Sequence, residues 1–329
     1  MNVVVIRGDG IGPEVIDSAL RVMEQVAFFD PVEAHAGLAC KREMGEYLPD
    51  ATLELLREAD AALFGAITTP LGDPSYRSPI LTMRQELDLY ANVRPAKRLH
   101  PSIGLVDLDA VIVRENTEGM YTRREIEDED GVTLERRVSR RASERIVRFA
   151  ISLCRAQGRR RLTCVHKANV LRRSDGLFRD VFYAEMEDSG LEGDDLLVDA
   201  AAAALVTRPG DIDCMVTLNL YGDILSDEAA ALVGGLGLAP SANLSDSFGL
   251  FEPVHGSAPD IAGKGVANPI AAMLSAAMML DHLGKVTEAR RIEEAIRLTL
   301  DSGHRTRDLG GDLGTIGFTD RVIDALDQQ

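Results

Sequence analysis

The sequence predicts an α/β protein whose sheet is covered by helices on both faces. Two observations carry that expectation. Short apolar runs of strand length alternate with amphipathic helical patterns along nearly the whole chain. Hydrophobic residues make up 45% of the 329 positions, which is material for full cores and leaves no case for global disorder. A chain of this length has room for two packed domains.

The elements follow in order. Residues 3–6 are an apolar strand, and residues 13–26 form a helix with Val15, Ala19, Val22, Met23 and Val26 on one stripe. Pro13 suits its first turn. Further strands are predicted at 61–64, 110–113, 162–165 and 214–218, with helices at 143–157 and 174–188. Ser143 is placed to cap the first of these helices and Gly158 to stop it. The apolar run at 213–218 leads into a helix expected to begin at Asp227. Residues 123–141 are densely charged around an Asp130-Gly131 turn signal and read as a hairpin. Such a hairpin is either a mobile surface loop or an arm that clasps a partner subunit.

Composition narrows the function. The net charge of −17 argues against nucleic acid, whose phosphates require a basic surface. The most apolar helix, at 269–283, is broken up by Ser275, Asp281 and His282, so no membrane span is expected. No export signal is visible at the N-terminus. Cys40, Cys154, Cys164 and Cys214 are scattered, without metal-ligand spacing, as in a reducing cytoplasm. Only five of the 36 basic residues are lysine, leaving 31 arginines. An acid excess with so little lysine suggests a salt-adapted host; a GC-rich genome would also favour arginine.

Several motifs carry chemistry. Asp223 and Asp227 stand four residues apart after the 213–218 run, so a helix would place both on one face. A hard divalent cation would offset their repulsion, although acids are also welcome at a solvated helix N-terminus. Arg84, Arg94 and Arg114 could grip a substrate with two or three carboxylates through forked hydrogen bonds. Taken singly, each could be an ordinary salt bridge. Arg94 and Arg114 follow apolar runs and should emerge near strand ends. Lys167 comes directly after a strand, where partial desolvation would make it a usable base; a surface position is the plainer reading. Residues 251–269 form a loop rich in glycine and proline, suited either to clamping a nucleotide or to a structural turn. The turn Gly8-Asp-Gly10-Ile-Gly12 lacks the Gly-x-Gly-x-x-Gly spacing of a pyrophosphate cradle.

Together these segments resemble the β-decarboxylating dehydrogenases, the family of isopropylmalate, isocitrate, homoisocitrate and tartrate dehydrogenases. The motifs are Gly8-Asp-Gly-Ile-Gly-Pro-Glu14, the Arg84–Arg94 block, Val113-Arg-Glu-Asn-Thr-Glu-Gly-Met-Tyr121, His166-Lys-Ala-Asn169, Gly222-Asp-Ile-Leu-Ser-Asp227 and Glu252-Pro-Val-His-Gly-Ser-Ala-Pro-Asp260. The likeness runs from Gly8 to Asp308-Leu-Gly-Gly311. It implies a two-domain fold that is not a Rossmann fold, with a central sheet flanked by helices and a protruding clasp arm. One domain, residues 1–97 plus 235–329, would contain both termini and bind the cofactor. The other, residues 98–234, would carry the dimer interface, the arm at about 119–142 and the metal-binding acids.

The resemblance further implies a cytoplasmic homodimer with shared active sites, using NAD and Mg²⁺ or Mn²⁺. Arg84, Arg94, Arg114 and Asn169 would bind the malate core. Asp223 and Asp227, with Asp199 from the neighbouring subunit, would hold the metal. Lys167, which like Asp199 would reach in from the neighbouring subunit, and Tyr121 would exchange protons with substrate, with Asp199 counted among the catalytic residues. His255, Gly256, Ala258, Asp260, Ile261, Asn268 and Asp308 would line the cofactor site, Asp260 selecting NAD over NADP by repelling a 2′-phosphate. Ser78, Ile80 and Leu81 would meet the group on the third carbon. Ile80 and Leu81 match isopropylmalate enzymes of leucine biosynthesis, whereas Arg77-Ser78, Leu236-Gly-Leu-Ala-Pro-Ser241 and Leu280-Asp-His-Leu-Gly284 resemble isocitrate-type, homoisocitrate and archaeal members. The expected substrate is 3-isopropylmalate, with homoisocitrate or isocitrate as alternatives. A reading from a different class is a regulatory subunit that keeps the fold and loses the chemistry, but every implied catalytic position carries the expected residue.

Overall fold

The computed structural model describes residues 1–329 except Leu71, Pro74, Ser75 and Arg123. The expectation for the charged segment 123–141 therefore begins on a residue outside the described set. The chain opens with β1 (Asn2–Ile6), α1 (Gly12–Met23), β2 (Asp30–Glu33), α2 (Leu38–Met44), α3 (Asp50–Glu58), β3 (Ala61–Phe64) and α4 (Pro79–Glu86). It continues through β4 (Ala91–Lys97), β5 (Asp109–Glu115), the short pair β6 (Glu125–Glu127) and β7 (Val132–Leu134), then α5 (Arg140–Ala156). Next come β8 (Arg161–His166), α6 (Ser174–Met186), β9 (Glu192–Leu197), α7 (Val198–Thr207), β10 (Cys214–Thr217) and α8 (Asn219–Val233). The last elements are β11 (Pro240–Leu244), β12 (Gly249–Pro253), α9 (Ile270–His282), α10 (Val286–Asp301) and α11 (Thr315–Leu326). The chain is thus α/β, and no helix among the described residues is long and apolar enough to cross a membrane.

Two compact units form. The first comprises Met1–Leu89, Leu99–Gly104 and Gly234–Gln329. Its strands run in the order β2-β1-β3-β12-β11. The first four are parallel neighbours, and β11 pairs antiparallel with β12. Helix α9 is apolar on nearly every side, so it has no solvent face to present. It packs on β3, β11 and β12 and also meets α1 and α10. The glycines of the first βα turn serve close backbone packing. Gly10 has φ +61, and a Cβ there would lie 1.9 Å from the Ser257 carbonyl oxygen. Asp9 is buried, its carboxylate accepting from the backbone N–H groups of Leu38, Ala39 and Thr68.

The second unit comprises Tyr90–Arg98 and Leu105–Val233. Its strands run β4-β5-β10-β8-β9, with β4 antiparallel to β5 and the remaining pairs parallel. Ile112, Val165 and Met215 of the strands pack with Ala201, Ala204 and Leu205 of α7 and with Leu225, Ala229 and Leu232 of α8. Helices α5 and α6 lie against the same strands. Residues 125–127 and 132–134 form an antiparallel hairpin around the Asp128–Gly131 turn, with all its side chains exposed.

Three local expectations are corrected. Ser139, not Ser143, caps α5, its hydroxyl accepting from the Ala142 N–H at 3.1 Å. Ser143 lies one turn inside the helix and donates back to the Ser139 carbonyl. Helix α8 starts at Asn219, eight residues before Asp227, because Gly222 fits the helix and Leu225, Ala229 and Leu232 already carry its core-facing period. Arg94 sits mid-strand in β4, opposite Ile112, instead of at a strand end.

Candidate functional site

Sequence places two arginines on neighbouring strands of the second unit, and α8 runs above them. Arg94 of β4 is buried. Its Nε donates to Asn92 Oδ1 at 2.8 Å and its Nη1 to Ser226 Oγ at 2.8 Å. The same guanidinium pairs with Asp223 at 3.3 Å and with Asp227 at 3.1 Å. Arg114, near the end of β5, is 1% exposed and donates from Nε and Nη2 to Asn219 Oδ1 at 3.0 and 2.7 Å. Its Nη1 makes a short ion pair with Asp223 Oδ1. Tyr121, in the turn after β5, donates from its hydroxyl to Asp223 Oδ2 at 2.6 Å, with Arg114 5.1 Å over its ring.

The helical spacing thus puts Asp223 and Asp227 on one face, as their i,i+4 separation requires. Burial pushes the Asp227 carboxyl up from its usual range; Asp223 adds to this, while Arg94 and Arg114 oppose it. In this arrangement the two carboxylates share two guanidinium groups, Asp223 meeting both and Asp227 meeting Arg94. Among the described residues, no group of three or more His, Cys, Asp or Glu side chains comes together as a cation site.

Lys167 and Asp199 form a pair of their own. Lys167 follows β8 directly, and its ammonium makes a short ion pair with Asp199 in the first turn of α7. The hydrogen bond from Lys167 pulls the Asp199 carboxyl down. Asn169, two residues on, is exposed.

In the first unit, Arg84 of α4 is buried and lies 3.4 Å from Glu252 Oε1, which also accepts from Asn243 at 2.7 Å. Ile80 and Leu81, one turn earlier on α4, are partly buried, and Ile80 packs against the core. Ser78 precedes α4 and makes no capping bond with its side chain. The 255–268 loop is anchored from below by the Thr68–Ser257 hydroxyl contact at 2.7 Å and the Ile11 N–H to Ser257 carbonyl bond. His255 Nδ1 stands 3.0 Å from the Gly256 carbonyl and donates to it, so Nε2 is the accepting nitrogen of the neutral ring. That Nε2 is buried without a hydrogen-bond partner, and burial pulls the imidazole pKa down. Ala258 adopts φ +38, and Gly256, Asp260 and the Asp308 side chain are exposed. Ile261 is partly buried; its N–H closes the turn on Ala258. Asn268 donates to Asp308 at 2.9 Å, with Gly237 close against both.

The structure therefore gathers Arg94, Arg114, Tyr121, Asp223 and Asp227 in one cluster and Lys167 with Asp199 in another. Asn92 and Asn219, and the Gly222 and Ser226 of the Gly222–Asp227 motif, have no role of their own that the sequence makes visible. Asn92 and Arg94 are two apart on one strand, the spacing that puts both on one face; that signal is visible only once β4 is recognised as a strand.

The family model described as Isocitrate/isopropylmalate dehydrogenase matches residues 2–326. The chain belongs to the isocitrate/isopropylmalate dehydrogenase family. It is a β-decarboxylating dehydrogenase of that family. A homoisocitrate dehydrogenase from Methanocaldococcus jannaschii is 46% identical over 99% of this chain and 98% of its own. A 3-isopropylmalate dehydrogenase from Methanothermobacter thermautotrophicus is 48% identical over 99% of both. The crystal structure of isocitrate dehydrogenase from Methylococcus capsulatus superposes with a TM-score of 0.95 at 42% identity, covering 99% of each chain. These family members carry three different substrate names at similar identity, so overall likeness does not choose among them.

Proposed function

We propose that this dehydrogenase oxidises and decarboxylates 3-isopropylmalate, converting the (2R,3S) acid to 4-methyl-2-oxopentanoate with NAD, in leucine biosynthesis. The observation that carries the reading is on α4: Ile80 and Arg84 are one helical turn apart, with Leu81 beside them. An apolar surface next to a buried guanidinium suits a malate bearing an alkyl group. It would penalise a third carboxylate by desolvation.

The residues fit both groups that the reaction needs. Asp223 and Asp227 offer hard oxygen donors whose crowding a Mg²⁺ or Mn²⁺ ion would relieve, with Asp199 of a second copy as a further ligand in a homodimer. When bound, such an ion would act as a Lewis acid toward the substrate's oxygens. The unpartnered His255 Nε2 and the exposed Asp260 suit an adenosine: the first can accept from an amino group, the second from ribose hydroxyls. When bound there, NAD would supply the hydride acceptor for oxidation at the substrate's second carbon.

The chain's own residues do the rest. Arg84, Arg94 and Arg114 hold the carboxylates of the malate core, and Asn169 is assigned to the same substrate. Lys167, reaching in from the second copy together with Asp199, takes the hydroxyl proton as the ketone forms. The third carbon then loses its carboxylate as CO₂, and the Tyr121 hydroxyl returns a proton to that carbon. The four free, buried cysteines suit a cytoplasmic enzyme.

A specific observation favours a second reading. Arg77 is exposed two residues before α4, where a cation could meet the extra carboxylate of homoisocitrate or isocitrate. The deciding experiment follows NADH formation with each acid and ranks the kcat/KM values. A higher value for either tricarboxylic acid than for 3-isopropylmalate overturns the proposal.

A further inference from the structure

We propose that Asp175 is a positioning residue for Lys167, an inference that rests on Lys167 being the proton-accepting base. Asp175 is fully buried in the first turn of α6. An acid in the first turn ordinarily faces solvent and favours the positive end of its helix, whereas this one is buried two residues past the N-cap Arg173. Instead, Asp175 Oδ2 accepts from the backbone N–H of Lys167 at 2.7 Å and from the Tyr221 hydroxyl at 3.1 Å. Oδ1 accepts from Arg136 Nη1 at 2.5 Å and from the Ser174 hydroxyl at 3.3 Å.

One carboxylate thereby joins three parts of the second unit. Arg136 follows the β6–β7 hairpin, and its guanidinium lies 5.4 Å over the Tyr221 ring. Tyr221 belongs to α8, two residues before Asp223. Lys167 is held on its other side too, its carbonyl accepting from Val170 and Leu171 N–H at 3.0 and 2.8 Å. The preceding residue is fixed as well. His166 Nδ1 accepts from Ala168 N–H at 3.0 Å, so Nε2 carries the proton toward Asp195, 2.9 Å away. A residue held at both its N–H and its carbonyl fixes the stem from which the ammonium projects. Displacing a reacting group by about 1 Å costs on the order of 100-fold in rate, which is why such anchoring matters.

The test compares the full-length Asp175→Asn, Tyr221→Phe and Lys167→Met proteins with the parent, using NAD, Mn²⁺ and whichever acid the parent turns over best. Asp175→Asn keeps the size of the side chain and loses its charge. Its kcat should fall by about tenfold or more, with KM changed by less than about threefold. Tyr221→Phe keeps the ring beneath Arg136 and removes one donor; kcat should fall about threefold, again without a matching rise in KM. Parental kcat in Asp175→Asn overturns the proposal, as does a change confined to KM. If that variant does not fold, parental kcat in Tyr221→Phe overturns it. Turnover retained by Lys167→Met would instead remove the base assignment. An inactive Lys167→Met beside a parental Asp175→Asn removes the positioning role alone.

Discussion

Gly222 leaves room for Arg114: a Cβ on Gly222 would lie 2.7 Å from both Cβ and Cγ of the arginine. Those atoms are the root of the Arg114 side chain, so they cannot swing aside as a flexible tip would. Gly222→Ala would gain up to about 1 kcal/mol in helix propensity. It would lose about 1–3 kcal/mol to overpacking, so the clash wins. The expected outcome is a lower melting temperature together with a raised KM for the acid substrate, because Arg114 is displaced. A variant with parental KM would show that Arg114 does not need this path.

Asp223 and Asp227 should bind a divalent cation only as a pair. Neutralising either one leaves Arg94 and Arg114 facing the site with one acid fewer, so attraction for a cation drops on both counts. Asp223→Asn and Asp227→Asn should each weaken Mn²⁺ binding by at least about tenfold, equal to 1.4 kcal/mol. Calorimetric titration of the chelator-treated protein reads this directly. Unchanged affinity in both variants would mean that the cation binds elsewhere.

The α/β class was legible because its buried strands are short apolar runs: the residues predicted at 61–64, 110–113 and 162–165 all lie within strands β3, β5 and β8. Strands β4 and β9 were harder. β4 contains Arg94 and Pro95, and β9 begins Glu-Gly-Asp-Asp, so neither shows an apolar period. In both, tertiary pairing overrides local preference. Within the candidate site, the carboxylates could be named from their i,i+4 spacing, and Arg94 and Arg114 from the apolar runs that precede them. What they touch could not: Asn219 and Asn92 become ligands of the arginines only when β4, β5 and α8 are brought together. The Ser139 cap was missed because two serines four apart compete for one helix start, and only backbone geometry separates them.

Acid should dissolve one particular joint. Burial alone would raise the Asp213 carboxyl, but the N–H of Arg161, the Arg159 guanidinium and the N–H of Arg160 together bring it below its usual value. A depressed carboxyl stabilises the fold above its unfolded pKa, and that contribution is lost as pH falls through the folded value. Asp213→Asn should therefore lower the melting temperature at pH 5 and above, by an amount corresponding to about 2 kcal/mol. The gap should close as the pH falls below about 4, the ordinary aspartate range. A gap that persists at low pH would trace the loss to shape and not to charge.

On the proposed function, Asp260 would set the choice of cofactor. A carboxylate accepts from the ribose hydroxyls of NAD and repels the phosphate that NADP carries there. Charge-assisted hydrogen bonds contribute about 1.5–3 kcal/mol, so the parent should favour NAD by about tenfold or more in kcat/KM. Asp260→Asn should shrink that ratio chiefly through a higher KM for NAD. Steady-state kinetics with both nucleotides checks it; a parental preference for NADP sinks the argument.

Salt should stabilise this protein. Acids outnumber bases 53 to 36, and the exposed hairpin alone carries Glu125, Glu127, Asp128, Glu129 and Asp130 within six residues. Two effects oppose each other as salt rises. Screening weakens exposed ion pairs such as Arg124–Glu135 at 3.7 Å, but such pairs contribute only about 0–1 kcal/mol each. It also weakens the repulsion among the unmatched acids, whose range falls from about 8 Å at physiological salt to about 3 Å near 1 M. With a net charge of −17 the repulsive term is the larger. The melting temperature should climb as KCl is raised from roughly 0.1 M to the molar range, and level off once the screening length is shorter than the spacing between charges. A flat or falling curve would show that the surface pairs matter more than the acid excess, and that the scarcity of lysine reflects codon usage alone.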